Sequence, residues 1–304
     1  MVLTRFAPTP SGYLHLGNAF SFVLTWLLAR LQGGKILLRI DDLDNDRFRP
    51  EYLDDIFYSL EWLGLDYDLG PAGAADFYAT WSQHKRLDLY YEALASLRSH
   101  LFACICSRKI WQQASPDGQY PGTCLLRELP LTAPHAAWRL VTPAQKTVGF
   151  TEVGKTEPTQ ASPCQWMRHP VLRRKDGLPA YQLASVIDDG HFGISLVVRG
   201  QDLFASTVIQ TYLAECLGAK QFATIAFHHH PLLKNANGEK LSKSAGSLSL
   251  KAIAQQEKTP ARIYALVSAA LFSGKCTAQS AAELLSQVTI QDILDAHVVP
   301  DVRC

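Results

Sequence analysis

The segment Leu3-Thr-Arg-Phe-Ala-Pro-Thr-Pro-Ser-Gly-Tyr-Leu-His-Leu-Gly-Asn18 decides the fold of this chain. Its first four residues predict a short strand, which the two prolines that follow bring to an end. Apolar periodicity predicts a helix from about Leu16 to Leu31, and Gly33-Gly34 stops that helix. Lys35 to Ile40 then reads as a buried strand that ends in the acidic cluster Asp41-Asp42-Leu43-Asp44. A strand, a helix and a strand in this order predict a βαβ unit and a parallel sheet.

The same alternation of helical and extended patterns returns later in the chain. A stretch from about 104 to 164 is rich in Pro, Gly, Ser and Thr, and its weak periodicity predicts an insertion. The expected fold is therefore α/β, a Rossmann-like doubly wound parallel sheet with an inserted subdomain and a small C-terminal helical region. The other predicted elements are strands at 194–199 and 222–229 and helices at 51–64, 84–100, 206–217, 261–272 and 281–294.

Composition places the chain among globular proteins. Its 304 residues are 47% hydrophobic and carry 29 basic against 28 acidic side chains. This balance excludes a disordered tail or a strongly basic nucleic-acid coat, so any contact with nucleic acid must come from a local patch. The seven cysteines fit metal binding or burial in a reducing compartment better than a disulfide framework. No run reaches the roughly 18 to 20 apolar residues of a membrane helix, and no secretory signal begins the chain, so a cytoplasmic protein without membrane contact is expected.

Two segments far apart in the sequence have the chemistry of a nucleotide site. A helix that begins near His15 offers backbone N–H groups and a positive dipole end to phosphates, and Gly17 permits close approach. The segment Gly238-Glu-Lys-Leu-Ser-Lys-Ser244 places two lysines and two serines in one loop, which can neutralise charge on a reacting phosphate. Taken singly, a capping or core histidine and a solvated turn are the commoner explanations, and only the combination favours a nucleotide site.

The combination resembles the two signature elements of class I aminoacyl-tRNA synthetases, here His15-Leu-Gly-Asn18 and Lys240-Leu-Ser-Lys-Ser244. The resemblance implies that ATP, accompanied by Mg²⁺, is a substrate. It also implies catalytic roles for His15, Lys240 and Lys243. The residues that it implies for ATP binding are His15, Gly17, Asn18, Lys240, Ser242 and Lys243.

Four further blocks narrow the resemblance to the glutamyl and glutaminyl branch of that class. They are Arg5-Phe-Ala-Pro-Thr-Pro-Ser-Gly12, Arg39-Ile-Asp-Asp-Leu-Asp44, Tyr181 with Val186-Ile-Asp-Asp189, and Arg199-Gly-Gln-Asp202. In this branch two arginines hold the carboxylates of the amino acid, and guanidinium forks suit a dicarboxylic amino acid. Taken alone, Arg5 or Asp41 would more commonly form an ordinary ion pair. The residues implied for glutamate binding are Arg5, Ala7, Thr9, Asp41, Tyr181, Ser185 and Arg199.

Three of these positions depart from the pattern of the glutamyl branch. Asp41 stands where Glu is usual, Thr9 where Ser is usual, and Ser185 where Asn is usual. Asp41 shortens the reach of its carboxylate by one carbon–carbon bond, roughly 1.5 Å. The departures bear on which amino acid is chosen, and glutamate is the expected one.

A cysteine cluster lies inside the predicted insertion. Cys104-Ile-Cys106 and Tyr120-Pro-Gly-Thr-Cys124 place three thiols and a phenol close together in the sequence. Three thiolates and one oxygen can close a tetrahedral structural Zn²⁺ site, but from spacing alone free buried cysteines are an equal alternative. The pattern resembles the arrangement in glutamyl-queuosine tRNA(Asp) synthetases, which favours zinc bound by Cys104, Cys106, Tyr120 and Cys124. The run His228-His-His230 is expected to serve packing and nucleotide-side contacts instead of a metal.

The chain ends soon after the loop at 240–244, so no anticodon-binding domain is expected. The resemblance to glutamyl-queuosine tRNA(Asp) synthetases implies activation of glutamate by ATP and transfer to queuosine at the wobble position of tRNA(Asp). A monomer that binds the anticodon stem-loop is expected. The alternatives are an enzyme that charges a tRNA 3′ end and a non-catalytic paralogue that binds glutamate, nucleotide or tRNA.

Two further predictions concern the surface that meets the RNA and the domain boundaries. The basic and aromatic segment Trp166 to Lys175 is a candidate RNA-binding segment. A solvated hairpin with no RNA contact is an equally favoured alternative. The predicted boundaries are 1–100 and 176–245 for the two halves of the catalytic domain, 101–175 for an acceptor-binding and zinc subdomain, and 246–304 for a helical appendix.

Overall fold

The computed structural model describes residues 1–107, 109, 111, 115, 117–233, 249–272 and 278–295. The chain divides into two compact units. The first consists of Met1–Lys85, Ser195–Asp202 and Phe227–Cys304, and the second consists of Arg86–Ile194 and Leu203–Ala226. In the described residues, no helix combines the length and hydropathy needed to span a membrane.

The first unit is built on the βαβ segment that the N-terminal sequence predicts. Strand β1 (Leu3–Phe6) pairs in parallel with β2 (Lys35–Leu38), and helix α1 (Leu16–Arg30) connects them. Most of α1 is buried, and Phe22 lies 5.1 Å from Phe6 between ring centroids. The parallel pairing follows from the crossover helix, because two parallel strands cannot be joined by a tight hairpin.

Helix α2 (Pro50–Leu63) follows in this unit and ends at Gly64, whose φ of 70° is the left-handed conformation that favours glycine. Later segments of the chain return to complete the unit. Tyr264 donates a hydrogen bond to Leu63 O at 2.6 Å and ties a C-terminal helix to the end of α2. The remaining regular elements of this unit are the single turns Ala74–Asp76, Phe77–Trp81, Gln83–Arg86 and Gln201–Leu203, strands β8 (Leu196–Gly200) and β9 (Ala226–His230), which are neighbours in one sheet, and four helices, Leu250–Gln256, Ala261–Phe272, Ala281–Gln287 and Ile290–Leu294.

The second unit combines helices with short antiparallel strands. Helix α3 (Leu87–Ser96) is fixed to α4 (Tyr181–His191) by the fully buried Asp188, which accepts two hydrogen bonds from Arg86 at 3.1 Å each and one from Tyr90 at 2.7 Å. A buried carboxylate with this many donors is stabilised despite its desolvation. The other elements are β3 (Leu101–Cys104), β4 (Ala137–Leu140), β5 (Val148–Glu152), β6 (Thr159–Ala161), β7 (Val171–Arg173), α5 (Phe204–Leu217) and the turns Arg98–His100, Leu125–Arg127, Pro163–Trp166 and Phe222–Thr224.

Strands β3, β4 and β7 form one antiparallel sheet in that order, and β5 pairs with β6 in the second unit. The alternation of helices and strands with a parallel β1–β2 pair confirms the predicted α/β class. The predicted insertion therefore contains regular strands that its weak apolar periodicity did not reveal.

Three predicted elements differ from the observed ones. The pattern at 281–294 is two helices, because Thr289 accepts a hydrogen bond from Asp292 N and starts a new helix at Ile290. The pattern at 84–100 is α-helical only from Leu87 to Ser96 and has 3₁₀ turns on both sides. The predicted strand at 222–229 begins with the turn Phe222–Thr224 and becomes extended only from Ala226.

Candidate active site

The first turn of α1 forms the nucleotide side of the candidate site. His15 is the N-cap residue, with extended backbone angles of φ −131° and ψ 175°. Gly17 N donates to His15 Nδ1 at 3.1 Å, and His15 N donates to the Asn18 side-chain oxygen at 3.0 Å. Since Nδ1 accepts from an amide, the proton of the neutral imidazole lies on Nε2, which can donate to a phosphate oxygen. No acidic residue occupies this turn to offset the positive end of the helix dipole.

A cavity of about 210 Å³ opens at this helix start. Its opposite wall comes from the ends of β8 and β9. A Cβ atom on Gly200 would stand only 2.6 Å from Asp202 Oδ1 and 2.9 Å from Leu232 Cδ2, so a larger residue there would displace these two side chains. The cavity thus joins a helix N-terminus to a wall in which polar groups stand beside Leu232 and Leu233. Its lining includes His15, Gly17, Asn18, Gly200, Asp202 and His230.

The predicted loop residues Lys240, Ser242 and Lys243 lie outside the described residues. The chain is described again from Ser249, which forms an isolated antiparallel bridge with His15. Leu250 N also donates to Leu14 O at 2.8 Å. The segment that follows the predicted loop therefore returns to the predicted phosphate-binding histidine.

Three of the residues predicted for glutamate binding are buried in the first unit. Arg5 on β1 is 6% exposed, Arg199 on β8 is 4% exposed, and Asp41 is 8% exposed. Ser195 N donates to Leu3 O at 2.8 Å, which places the segments that carry the two arginines next to each other. The Arg199 guanidinium carbon stands 5.2 Å from the centroid of the Phe227 ring. Buried cations of this kind suit a ligand with carboxylates.

Asp41 has a partner that the sequence interpretation missed. Arg39 donates from Nε to Asp41 Oδ1 at 2.7 Å and from Nη2 to Oδ2 at 3.0 Å, which is a bidentate pair. Arg39 and Asp41 are two positions apart at the end of an extended segment, where residues with this spacing lie on the same face. The sequence therefore already indicated that they could pair. A carboxylate has about four lone-pair positions, and a bidentate arginine leaves acceptor capacity for an ammonium group.

The next acidic residue, Asp42, anchors this corner of the unit. Ser82 Oγ donates to it at 2.6 Å and Gln83 N donates at 2.8 Å. Burial raises the pKa of Asp42, and these two hydrogen bonds oppose the rise. Within the acidic cluster, Asp41 is thus the carboxylate that pairs with Arg39, Asp42 holds the backbone of Gln83, and Asp44 pairs with Arg47.

The other predicted glutamate-binding positions have different environments. Thr9 is exposed and Ala7 is half-buried in the loop after β1. Tyr181 and Ser185 belong to the second unit, where Tyr181 is the first residue of α4 and is 44% exposed. Ser185 is 2% exposed, and its hydroxyl has no hydrogen-bond partner among the described residues.

The structure brings all four predicted metal ligands together in the second unit. The sulfur atoms of Cys104, Cys106 and Cys124 lie within 4.8 Å of one another. Cys106 Sγ is 3.4 Å from Cys124 Sγ, and Tyr120 Oη is 3.3 Å from Cys104 Sγ and 4.0 Å from Cys106 Sγ. Ligands of a tetrahedral zinc ion with bonds of about 2.3 Å stand roughly 3.8 Å apart, so the donor set fits Zn²⁺.

The surroundings of this cysteine cluster (Cys104, Cys106, Tyr120 and Cys124) come from distant parts of the sequence. The Arg139 guanidinium carbon lies 3.8 Å from the centroid of the Tyr120 ring, and Arg139 Nη1 donates to His169 O at 2.8 Å. Lys175 Nζ donates to Ile105 O at 2.8 Å, between the first two cysteines. The sequence interpretation missed Arg139 and Lys175 as partners of the cluster.

The acidity of the thiols differs within the cluster. Burial raises the pKa of Cys106, and its hydrogen bond with Cys124 raises it further. Burial also opposes ionisation of Cys124, but hydrogen bonds from Tyr120, the Ile105 backbone and the other two thiols lower its pKa to about 7. Cys124 is therefore a stronger acid than Cys106, and the thiolate is the form of cysteine that binds metals.

The basic segment from Trp166 to Lys175 has most of its polar groups engaged within the second unit. Arg168 pairs with Asp117 at 3.1 Å, and Arg174 pairs with Asp176. His169 is 7% exposed, and burial lowers its pKa. Trp166 is 49% exposed and packs on Phe204 at 4.6 Å between centroids. The segment presents a partly exposed aromatic surface with paired charges.

The chain is similar to a known enzyme family over most of its length. The family model described as tRNA synthetases class I (E and Q), catalytic domain, matches residues 1–111 and 136–298. A glutamyl-Q tRNA(Asp) synthetase of Nitratidesulfovibrio vulgaris is 40% identical over 273 residues, which are 83% of this chain and 81% of that protein. A protein of the same name from Deinococcus radiodurans is 38% identical over 278 residues, 87% of each chain.

One solved structure extends the comparison to the fold. A glutamate tRNA ligase from Elizabethkingia meningosepticum, solved in complex with its amino acid, gives a TM-score of 0.77 at 23% identity. The match covers 98% of this chain and 66% of that one. This likeness supports the Rossmann-like α/β fold.

Proposed function

The chain belongs to the glutamate and glutamine family of class I tRNA synthetases, and from this premise we propose that it activates glutamate with ATP and transfers it to queuosine at the wobble position of tRNA(Asp). The observation that carries the activation step is the cavity at the N-terminus of α1, with His15, Gly17 and Asn18 on one wall. The similarity to two glutamyl-Q tRNA(Asp) synthetases over most of the chain supports the acceptor.

The first step is an attack by a carboxylate oxygen of glutamate on the α-phosphorus of ATP. The bond from that phosphorus to the β-phosphate oxygen breaks, pyrophosphate leaves with Mg²⁺, and glutamyl-adenylate forms. His15 is proposed to donate from Nε2 to a phosphate oxygen, since its Nδ1 is held by Gly17 N. Lys240, Ser242 and Lys243 are proposed to neutralise the charge that grows on the phosphates, as preorganised cations do.

Buried side chains of the first unit are proposed to hold the amino acid. Arg5 and Arg199 would present their two guanidinium groups to a dicarboxylic ligand. Burying these positive charges costs less free energy when the ligand supplies the opposite charges. The Asp41 carboxylate, which Arg39 holds in place, would accept a hydrogen bond from the α-ammonium group of the amino acid. Ala7, Thr9, Tyr181 and Ser185 keep the roles that the resemblance implies, as predictions.

In the second step a hydroxyl of the queuosine cyclopentenediol attacks the adenylate carbonyl. An ester forms, AMP leaves, and the hydroxyl proton is lost. The anticodon stem-loop is the proposed RNA partner. A monomeric state and a cytoplasmic location remain predictions.

The cysteine cluster is proposed to bind one structural zinc ion. Cys104, Cys106 and Cys124 would supply thiolates and Tyr120 the fourth ligand, in accord with the observed spacing of these atoms. When bound, the ion would cross-link the end of β3 to the turn that contains Cys124. A metal of this kind would add to the stability that this region already gains from apolar packing around Phe102 and Tyr120.

Two measurements test the proposed function. Exchange of pyrophosphate into ATP without tRNA, across glutamate, glutamine and aspartate, is expected only with glutamate. Labelled glutamate is then expected on tRNA(Asp) that contains queuosine and not on the same tRNA without it. Label at the 3′ end would instead indicate an enzyme that charges that end, and no exchange with any amino acid would point to a non-catalytic paralogue.

A further inference from the structure

His230 is held in one orientation and one tautomer. It is the last residue of β9 and is 3% exposed. Its Nδ1 lies 2.9 Å from Pro231 O, and because a carbonyl cannot donate, Nδ1 must carry the ring proton. The ring also packs edge-on against Phe20, with centroids 5.2 Å apart and planes at 79°. The imidazole is therefore fixed, and its second nitrogen points in a set direction.

That second nitrogen, Nε2, is an acceptor without a partner. It is buried, and no described residue forms a hydrogen bond with it. Burial lowers the pKa of His230 to about 4, so the ring is neutral at physiological pH. A buried acceptor that is left unpaired costs free energy, and native structures rarely tolerate one without a reason. His230 lines the candidate nucleotide cavity, so a ligand there can supply the missing donor.

A second acceptor stands beside it in the same wall. The position that a Cβ on Gly200 would occupy is 2.6 Å from Asp202 Oδ1 and 3.6 Å from His230 Cε1. The Asp202 carboxylate and the His230 imidazole therefore both lie next to the face of Gly200 from which a side chain would project. ATP has two kinds of nucleoside donor, the vicinal ribose hydroxyls and the 6-amino group of adenine. The ribose diol offers two neighbouring donors, whereas the amino group is flanked by ring nitrogens that are themselves acceptors.

We propose that His230 Nε2 accepts a hydrogen bond from a ribose hydroxyl of ATP, next to the Asp202 carboxylate, and so makes His230 a residue that selects ribonucleotides. This inference rests on the proposed use of ATP.

The test is equilibrium binding by calorimetry, which needs no turnover. The ligands are ATP, 2′-deoxy-ATP, 3′-deoxy-ATP and the triphosphate of purine riboside, which lacks the amino group. The proteins are the full-length wild type, His230→Phe, His230→Gln and a control at the exposed His191, His191→Phe. Phe preserves the ring contact with Phe20. Gln can place an amide oxygen near the position of Nε2.

The expected result is that His230→Phe weakens ATP binding roughly 3- to 10-fold, the usual effect of losing one hydrogen bond. His230→Phe should bind one of the two deoxy analogues as tightly as it binds ATP, whereas the wild type should bind that analogue more weakly than ATP. His230→Gln should recover part of the affinity, and His191→Phe should match the wild type. Melting curves check that each variant is folded.

Three results would overturn the inference. They are unchanged ATP affinity in folded His230→Phe, loss of discrimination only against the purine riboside analogue, and no binding of ATP by the wild type. The last of these results would also remove the proposed function, whereas a wild type that binds ATP but does not exchange pyrophosphate with glutamate would contradict the proposed function alone.

Discussion

The nucleotide end of the first unit (His15, Gly17, Asn18, Gly200, Asp202 and His230) and the cysteine cluster of the second unit satisfy their polar atoms in different ways. At the nucleotide end, His230 lines a cavity, and its buried Nε2 has no partner among the described residues. In the cysteine cluster, the thiols and the phenol contact one another at 3.3 to 4.0 Å. This difference agrees with the proposals that the first region binds a substrate reversibly and that the second holds a structural metal ion. Catalysis and stability should therefore respond to different substitutions.

The largest expected effect is on catalysis. Lys243→Ala should lower glutamate-dependent pyrophosphate exchange by roughly 100- to 1,000-fold, because a preorganised charge on the reacting phosphate is removed. The melting temperature should stay within error of the wild type. Lys258→Ala, at an exposed lysine, is the matched control. An unchanged exchange rate would remove Lys243 from the catalytic proposal.

The next effect separates stability from catalysis. Cys104→Ser should abolish bound zinc and lower the free energy of unfolding by about 4 kcal/mol when free zinc is about 1,000 times its Kd. Zinc analysis and melting curves with and without a chelator measure it, and Cys164→Ser, outside the cluster, is the control. If the wild type contains no zinc and the chelator leaves its melting unchanged, the metal proposal fails.

A smaller effect concerns acid stability at the nucleotide end. The pKa of His230 is lowered to about 4 by burial, whereas an unfolded histidine titrates near 6.5. As the pH falls from about 6.5 to about 4, the unfolded state binds a proton that the folded state does not, so stability decreases by up to about 1.4 kcal/mol per pH unit.

His230→Phe should remove this part of the pH dependence, whereas His191→Phe at an exposed site should retain it. Urea unfolding at several pH values measures the slopes. Equal slopes in wild type and His230→Phe between about pH 4 and about pH 6.5 would show that His230 is protonated in the folded state.

The smallest effect is expected on the surface of the second unit. Arg174→Ala combined with Lys175→Ala should reduce the slope of log K against log salt for tRNA binding by roughly 0.7 to 0.9 for each phosphate that the protein no longer neutralises. The change is small because Arg174 already pairs with Asp176 and Lys175 with Ile105 O. Pyrophosphate exchange should not change.

Arg262→Ala, a surface arginine paired with Glu257 in the first unit, is the control for this pair. An unaltered slope in the double variant would exclude the segment from the RNA interface.

The strongly periodic elements were predicted well. Helix α1 and the helix Ala261–Phe272 match their predicted ranges within one residue, because each buries a long apolar surface. The break at Thr289 was missed, although Thr289 and Asp292 form a capping box that the sequence already contains. The strands of the insertion were missed because they are only three to five residues long and have little local signal, and β4 in addition pairs with strands that lie far along the chain.

The sequence by itself determined the residues that are adjacent in a motif. The histidine at the start of α1, the glycine two residues later and the cysteine pair at 104 and 106 follow from local spacing, since a helix start or strand end fixes neighbouring residues directly. Only the tertiary structure decided that Arg39 forms hydrogen bonds with Asp41 and that the Arg139 guanidinium packs on the Tyr120 ring. It also decided that Nε2 of His230 is buried without a partner among the described residues. Such relations depend on packing between distant segments, and burial decides the cost of each polar atom only after the chain has folded.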